Sequence, residues 1–293
     1  MTELRELVAE ELSLPVDRRV SAMAEAIAAK HGRASRAVLF YGSCLRQKQL
    51  GGLMLDFYLI VSDYRSAYDK RWLAVANRLI PPNVFYFEHD ELVSKYAVLS
   101  EADFAHECSL EAWTVSTAAR FAQPSRLVWS GDAHGREQVI DTVSKAATTL
   151  LEWARPSWNG RDVLDLWKLA FSKTFAAELR AEQLDRSSSL VDADPDRYRR
   201  FGDAVLAELG DGPARGRQRA TRWWRRKQLK GKAYSVVRLV KASATFAGGA
   251  DYIAWKINRH TGAGIELKPW QRRHPLLAAI TLFPRLLRSG AVR

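Results

Sequence analysis

Apolar and polar positions follow two different periods along the first hundred residues. In residues 18–30, apolar side chains recur every three or four positions, which predicts a helix that ends near His31. Three short apolar runs then predict strands at residues 37–41, 54–61 and 83–87. A further helix, over residues 69–79, is predicted before the third strand. The expected order is therefore helix, strand, connection, strand, helix, strand.

Beyond residue 100 the pattern is mainly helical. The spacing of apolar residues predicts helices over residues 101–108, 110–122, 136–154, 161–184, 195–209 and about 232–246. One strand-like run interrupts them at residues 126–129. Residues 211–213 (DGP) form the strongest linker candidate, because Gly and Pro break both kinds of element. The chain contains no repeat at a fixed period, so a solenoid is not expected.

Composition indicates a soluble globular protein. The chain has 293 residues, of which 47% are hydrophobic and 27% charged, so it is apolar enough to form a core. The longest strongly apolar run near the C-terminus, residues 276–283, is far shorter than the roughly 20 residues of a membrane-spanning helix. The N-terminal residues lack a signal-peptide pattern. Two cysteines, Cys44 and Cys108, are too few for a disulfide framework. A cytoplasmic protein is expected.

Charge is divided unevenly along the chain. Residues 213–293 hold 19 Lys and Arg against 2 acids, whereas residues 1–212 carry a net charge of −5. Such asymmetry indicates a polyanionic partner, either nucleic acid or an anionic lipid surface. Residues 222–227 (RWWRRK) and an amphipathic segment from His274 are typical of contact with anionic headgroups. The same residues would also suit RNA, or a solvated basic face whose tryptophans lie in the core.

The first predicted strand ends in Gly42 and Ser43, and Asp56 follows inside the second strand. A Gly-Ser turn lets backbone N–H groups and a hydroxyl approach phosphate oxygens, and a carboxylate on an adjacent strand can hold Mg²⁺ against them. Because an uncompensated carboxylate in an apolar strand is costly, Asp56 requires a partner, either Mg²⁺ or a nearby Lys or Arg. This is the layout of polymerase-β-type nucleotidyltransferases, although Tyr58 stands where their pattern has a second acid.

Patterns of other enzyme classes are not found in the sequence. It contains no G-x-S-x-G, H-E-x-x-H, G-x-G-x-x-G or Walker-type motif, which argues against hydrolase, zinc-protease, Rossmann and P-loop proteins. The six histidines lack the spacing of zinc ligands, at His31, His89, His106, His134, His260 and His274. The Gly-Ser turn and Asp56 therefore remain the main candidate for chemistry.

Longer motifs around these residues resemble one family, the mitochondrial-type phosphatidate cytidylyltransferases. These are peripheral CDP-diacylglycerol synthases of the translocator assembly and maintenance family. The family signatures Y-G-S-G, M-L-D-F and I-K-Y-G-V-x-S are matched by Tyr41-Gly42-Ser43, Met54-Leu55-Asp56-Phe57 and Ser94-Lys95-Tyr96-Ala97-Val98-Leu99-Ser100. The resemblance continues through Trp113, Arg120 and Pro124 to about Arg180, roughly half of the chain.

The sequence also departs from the family pattern. Cys44 replaces the second glycine of Y-G-S-G, and the spacing from Trp113 to Arg120 is one residue short. The downstream glutamine of the family is matched only out of step by one residue, by Gln47 or Gln49. Tyr58 is not a departure, because the family carries an apolar or aromatic residue there.

The resemblance implies an enzyme that uses CTP and Mg²⁺ to convert phosphatidic acid into CDP-diacylglycerol and pyrophosphate. Asp56 would hold Mg²⁺, and Lys95 would neutralise the pyrophosphate or the lipid phosphate. The nucleotide would be bound by Tyr41, Gly42, Ser43 and Arg120. A second metal ligand is expected from the third strand, with Glu88 the first choice and Asp90 the second. The alternative reading makes Lys95 a solvated strand-edge residue, Arg120 a helix cap, and Glu88 and Asp90 surface acids.

These inferences combine into one predicted organisation of α+β class. A polymerase-β-like nucleotidyltransferase domain is expected over residues 1–130, a helical or winged-helix-like domain over 131–212, and a basic membrane-contact region over 213–293. The protein would act peripherally at the inner face of a membrane. Two alternatives stay open: a nucleotidyltransferase that acts on RNA or another soluble acceptor, and an inactive nucleotidyltransferase fold that serves as a binding module.

Overall fold

The computed structural model describes residues 2–46, 50, 53–177, 186–210, 216–245, 266 and 268–273 of the chain. One mixed sheet lies between two groups of helices, and this arrangement confirms the predicted α+β class. The predicted linker at residues 211–213 and the amphipathic segment from His274 fall outside the described residues.

The sheet has five strands in the order β3-β4-β2-β1-β5. Neighbouring strands are antiparallel except for β2 and β4, which run parallel. The strands are β1 (Ser35–Tyr41), β2 (Met54–Val61), β3 (Asn83–His89), β4 (Leu92–Ser100) and β5 (Ser125–Ser130). Four of them coincide with predicted strands, within two residues at each end. In β1 and β2 the apolar runs coincide with buried positions, whereas the apolar side chains of β3 and β5 are partly buried.

Strand β4 was not among the predicted elements. It forms a hairpin with β3, and the two residues between them, Asp90 and Glu91, have φ angles of +44° and +62°. Tight hairpin turns of this kind usually contain Asn-Gly or Asp-Gly, since two consecutive residues adopt positive φ. The Asp-Glu pair carries no such signal, so the sequence pattern gave no indication of a hairpin at this point.

The described helices are α1 (Glu3–Leu12), α2 (Arg18–His31), α3 (Tyr64–Ala67), α4 (Arg71–Leu79), α5 (Glu101–Glu107), α6 (Ser116–Phe121), α7 (Ala133–Ala154), α8 (Val163–Phe175), α9 (Arg186–Asp192), α10 (Pro195–Leu209), α11 (Arg217–Thr245) and α12 (Pro269–Arg273). None of them combines the length and the apolar composition needed to cross a bilayer.

Three helices differ clearly from their predicted bounds. The helix predicted over residues 161–184 corresponds to α8, which ends at Phe175. The helix predicted over residues 110–122 is confined to α6, which begins at Ser116. The helix predicted near 232 begins fifteen residues earlier and forms the long α11. Its basic first half contains a narrow buried stripe at helical spacing, formed by Ala220, Trp224, Lys227 and Gly231. Because many Lys and Arg residues lie between these positions, the sequence pattern did not predict a helix here.

The tryptophans of residues 222–227 pack inward. Trp224 is 2% exposed and donates a hydrogen bond from its indole to the Trp153 carbonyl at 2.9 Å. Trp223 stacks on the Trp153 ring, with 4.5 Å between ring centroids. Of the three readings of this segment, the structure therefore supports inward-packed tryptophans with a basic outer face. Trp224 is buried, and Trp223 is partly buried against Trp153.

Each face of the sheet has its own core. One face carries Leu39, Tyr58 and Leu99, which pack against side chains of α1 and α5–α8; the same cluster continues to α10 and α11. The opposite face carries Phe40, Phe57 and similar residues, which pack against α2, α3 and α4. The first core is thus shared by the sheet and the later helices. The division at residues 130 and 212 stays a prediction.

His31, the last residue of α2, gives this second core a pH dependence. Its Nδ1 donates to the Ala67 carbonyl at 2.9 Å, which leaves Nε2 to accept from the Tyr96 hydroxyl at 3.1 Å. Burial lowers the pKa of His31, so below pH about 6.5 the unfolded chain binds more protons than the folded chain. We expect the free energy of unfolding to fall as the pH falls from 7 to 5.

Urea denaturation at pH 7 and pH 5 measures this effect. His31→Gln should show a smaller decrease between the two pH values than the wild type, because its side chain does not titrate. The exposed His134 provides the matched control, and His134→Gln should behave as the wild type. An unchanged pH dependence in His31→Gln would show that His31 is not the responsible group.

Candidate active site

A sharp turn at the end of β1 brings the backbone against a carboxylate. Gly42 follows Tyr41 with φ +97°, and a Cβ placed on it would lie 2.9 Å from Oδ2 of Asp56. A side chain at this position would therefore meet both backbone strain and the carboxylate, so only glycine fits without displacement. Ser43 is exposed and begins a 3₁₀ turn that extends to Arg46. Gly42 of the predicted Gly-Ser turn therefore lies next to the Asp56 carboxylate.

Lys95 supplies the charge partner of Asp56. Parallel pairing of β2 with β4 sets the two residues opposite each other, and Lys95 Nζ lies 3.0 Å from Asp56 Oδ1. The side chain of Lys95 is 30% exposed and that of Asp56 is 18% exposed. The sequence required a cation for Asp56 and left its identity open; the structure places Lys95 there. Since both groups remain partly accessible, the pair can also be reached by a ligand from solvent.

Tyr41 and Arg120 lie on the other side of Asp56. Tyr41 is the register partner of Asp56 on β1, and its ring packs 5.3 Å from that of Tyr58. Burial raises the pKa of the Tyr41 phenol, and a hydrogen bond from Arg120 partly opposes this effect. Arg120 also donates from Nη1 to the Ser116 carbonyl at 2.9 Å within its own helix. The guanidinium is thus held beside the Tyr41 phenol.

The predicted second metal ligand is farther away. Glu88 lies on β3 opposite Val93 of β4, which in turn faces Met54 of β2. Glu88 is therefore two strands from Asp56, and two strand spacings amount to about 9.6 Å. Its carboxylate accepts a hydrogen bond from the Tyr86 hydroxyl. The structure does not bring Glu88 next to Asp56, and its role as a ligand stays a prediction.

Asp90, the second choice for this role, is in the β3–β4 turn. It is exposed, and its Oδ2 lies 3.5 Å from His89 Nε2. Within the described residues, no group of three or more His, Cys, Asp or Glu side chains could together hold a metal ion.

The replacement of the family's second glycine by Cys44 does not narrow the turn. Cys44 is 4% exposed and packs in the core with Leu50 and Leu55. Its thiol donates to the Met54 carbonyl at 3.4 Å. The side chain therefore points into the core. Gln47 and Gln49 lie outside the described residues.

Register adds one residue that the sequence reading did not single out. Tyr86 on β3 pairs with Lys95, so Tyr86, Lys95, Asp56 and Tyr41 form a continuous row across four strands on one face of the sheet. Tyr86 is partly exposed at the open end of this row. The alternation in NVFYFEH could have indicated its face, but its neighbours became known only with the pairing of β4.

The donor set allows a test of whether Mg²⁺, as implied by the family resemblance, would fit. Asp56 offers one carboxylate, whose Oδ1 pairs with Lys95 and whose Oδ2 faces the backbone of Gly42. In nucleotide sites Mg²⁺ is often held by one or two carboxylates, with phosphate oxygens and water completing the octahedron. The residues therefore fit a Mg²⁺ that takes one ligand from the protein and the others from a triphosphate and solvent.

Comparison with known proteins gives a structural likeness but no match in sequence. No family model matches the sequence, and no curated protein matches it. Among solved structures, a nucleotidyltransferase-like protein from Exiguobacterium sibiricum 255-15 is similar over 92% of each chain. The sequence identity is 9% and the TM-score is 0.29. With a likeness of this degree, the case for a function rests on the geometry of the site.

Proposed function

We propose that this protein is a Mg²⁺-dependent CTP:phosphatidate cytidylyltransferase that acts peripherally at the cytoplasmic, inner face of a membrane. The observation that carries the proposal is the contact between Asp56 and the Gly42 turn, with Lys95 paired to the same carboxylate. This arrangement combines a close backbone approach, an acid and a cation within one open row. The motifs that resemble the cytidylyltransferase family fall on the same residues.

The Gly42 turn and its neighbours would bind the triphosphate of CTP. Gly42 lets the backbone lie near the phosphates, and the exposed Ser43 hydroxyl is available to donate to a phosphate oxygen. Mg²⁺ held by Asp56 would neutralise part of the triphosphate charge when bound. Arg120, fixed beside Tyr41, would donate to a further phosphate oxygen. These residues therefore position CTP for attack at its α-phosphorus.

The reaction would need little acid or base chemistry. An oxygen of the phosphatidic acid phosphate forms a bond to the α-phosphorus, and the bond from that phosphorus to the pyrophosphate oxygen breaks. The nucleophile is already an anion at neutral pH, so the protein contributes mainly position and positive charge. In this proposal Lys95 would leave Asp56 and neutralise the negative charge that develops on pyrophosphate, or it would hold the lipid phosphate.

One observation also favours a second candidate, a nucleotidyltransferase fold that binds an anionic partner without catalysis. Lys95 already neutralises Asp56, so the carboxylate is compensated in the absence of a metal ion. A binding module would retain the basic outer face of α11 and bind its partner without consuming CTP.

The proposal is tested with CTP labelled at the α-phosphate, Mg²⁺ and phosphatidic acid in phosphatidylcholine vesicles. Label is expected to enter the lipid fraction as CDP-diacylglycerol, with pyrophosphate released in equal amount. Vesicles without phosphatidic acid and a preparation of Asp56→Ala serve as blanks. Label that enters added RNA instead would favour a soluble acceptor. Binding without transfer to any acceptor would favour the binding module, and either result would overturn the lipid assignment.

A further inference from the structure

The helix α4, near the edge of the sheet, exposes a row of large apolar side chains. On α4, Trp72, Val75 and Leu79 are 50%, 57% and 67% exposed. Their spacing of three and four residues places them along one side of the helix, while Ala74 and Asn77 on the other side are buried. An apolar stripe of this size on a nine-residue helix therefore faces outward, in contrast to the tryptophans of α11.

Cations border this stripe. Lys70, Arg71 and Arg78 are all exposed, and residues 70–87 contain no acid. On the helical wheel, Arg71 and Arg78 lie to one side of Val75, at the margin of the apolar stripe. The surface of α4 thus joins an aromatic and two aliphatic side chains to a positively charged margin. A surface that is anionic outside and apolar inside would complement both the cations and the apolar stripe.

The basic helix α11 is held directly against the end of α4. The Tyr234 hydroxyl donates to the Leu79 carbonyl at 3.2 Å, and Arg238 Nε donates to the Pro81 carbonyl at 2.8 Å. Lys241 Nζ donates to the Pro82 carbonyl at 2.7 Å. Residues 217–245 hold ten Lys and Arg and no acid. The helix that carries these cations is therefore in direct contact with the C-terminal end of α4.

We propose that the exposed face of α4, with the adjoining part of α11, is the docking surface for an anionic lipid bilayer. Trp72 would lie at the level of the headgroups, Val75 and Leu79 would enter the acyl boundary, and the bordering cations would contact lipid phosphates. This inference deepens the proposed function, on which it rests for the lipid substrate. It assigns membrane contact to a short helix within the first hundred residues, in addition to the basic C-terminal third.

The composition of the surface favours lipid over other polyanions. Nucleic acid would use the cations and the indole, but Val75 and Leu79 offer nothing to phosphates or to base edges. Three apolar side chains allow only a shallow insertion, so binding depends on charge as well. We therefore expect binding to vesicles that contain phosphatidylglycerol, weak binding to phosphatidylcholine alone, and a decrease as salt is raised.

The test replaces the three apolar residues together, as Trp72→Ser, Val75→Ser and Leu79→Ser, in the full chain. Flotation with phosphatidylglycerol-containing vesicles should show an affinity at least about 10-fold below that of the wild type, because most of the inserted apolar area is lost. Leu14→Ser is the matched control: Leu14 is 46% exposed and follows α1, away from this surface. Circular dichroism verifies that both variants are folded.

A second readout separates docking from catalysis. The ratio of CTP turnover on phosphatidic acid vesicles to turnover on monodisperse short-chain phosphatidic acid should fall at least about 10-fold in the triple variant. If the wild type floats through α4 but shows no transfer, the proposed function fails and the docking surface stands. Wild-type flotation by the triple variant would overturn the docking surface, whatever the activity. A second result would also overturn the docking surface: the wild type binds RNA or another protein but not vesicles, and the triple substitution abolishes that binding.

Discussion

Asp56→Asn is expected to lower kcat/KM for cytidylyl transfer by at least about 100-fold. The substitution keeps the size of the side chain against Gly42, so the turn is retained, but it removes the charge that pairs with Lys95. It also removes the one carboxylate of the row that could hold Mg²⁺ against a triphosphate. The measurement is the initial rate of CDP-diacylglycerol formation at several concentrations of CTP.

Asp63→Asn is the matched control for this variant. Asp63 lies just beyond the same strand and caps α3 by accepting from the Arg65 and Ser66 amides. Asparagine caps a helix about as well as aspartate, so activity and stability should remain close to the wild type. If Asp56→Asn retained activity within a few fold of the control while folded, the role of this carboxylate in transfer would be disproved.

The second large effect concerns stability. Arg197→Met is expected to lower the free energy of unfolding by about 3–5 kcal/mol, because the largely buried carboxylate of Glu11 loses the guanidinium that pairs with it. Arg197 on α10 donates to both oxygens of Glu11 on α1, at 2.5 and 2.9 Å, and to the Ala122 carbonyl at 3.2 Å. The two side chains are 8% and 12% exposed. Urea denaturation measures the change.

An exposed pair provides the comparison. Arg19 and Asp17 form a similar contact at 2.8 Å, but their side chains are 52% and 37% exposed. Water screens such pairs, so Arg19→Met should lower the free energy of unfolding far less than Arg197→Met. Adding Glu11→Leu to Arg197→Met should recover part of the loss, because the second substitution removes the unpaired charge. Equal costs for the buried and exposed pairs would show that Arg197 does not join α1 to α10 in this way.

Much of the secondary structure could be predicted because local patterns and tertiary burial agree. The run MLDFYLIV is buried on both faces in the centre of the sheet, so its continuous apolar character and its strand coincide. Prediction was wrong where local signals were weak. The strand β4 follows a hairpin turn without glycine, and the first half of α11 has too narrow an apolar stripe among its cations.

The candidate site was predicted in part for the same reason. The local sequence is enough to select Gly42 and Asp56 as candidates, because Gly42 is a turn glycine and Asp56 is an acid in an apolar strand. That they touch depends on the pairing of β1 with β2, which places Tyr41 opposite Asp56. Lys95 was selected only through the family resemblance. Its contact with Asp56 follows from a parallel pairing that no local pattern encodes.

The sequence by itself determined the α+β class, four strands, the concentration of positive charge in the last third and the presence of a turn glycine ahead of a strand acid. These features depend on residue type, on period and on near neighbours along the chain. Only the tertiary structure decided that Lys95 neutralises Asp56, that Trp223 and Trp224 face inward, and that Trp72 faces outward. Each of these outcomes depends on strand register or on helix packing between distant segments, and a periodic pattern fixes which face is apolar without specifying what that face meets.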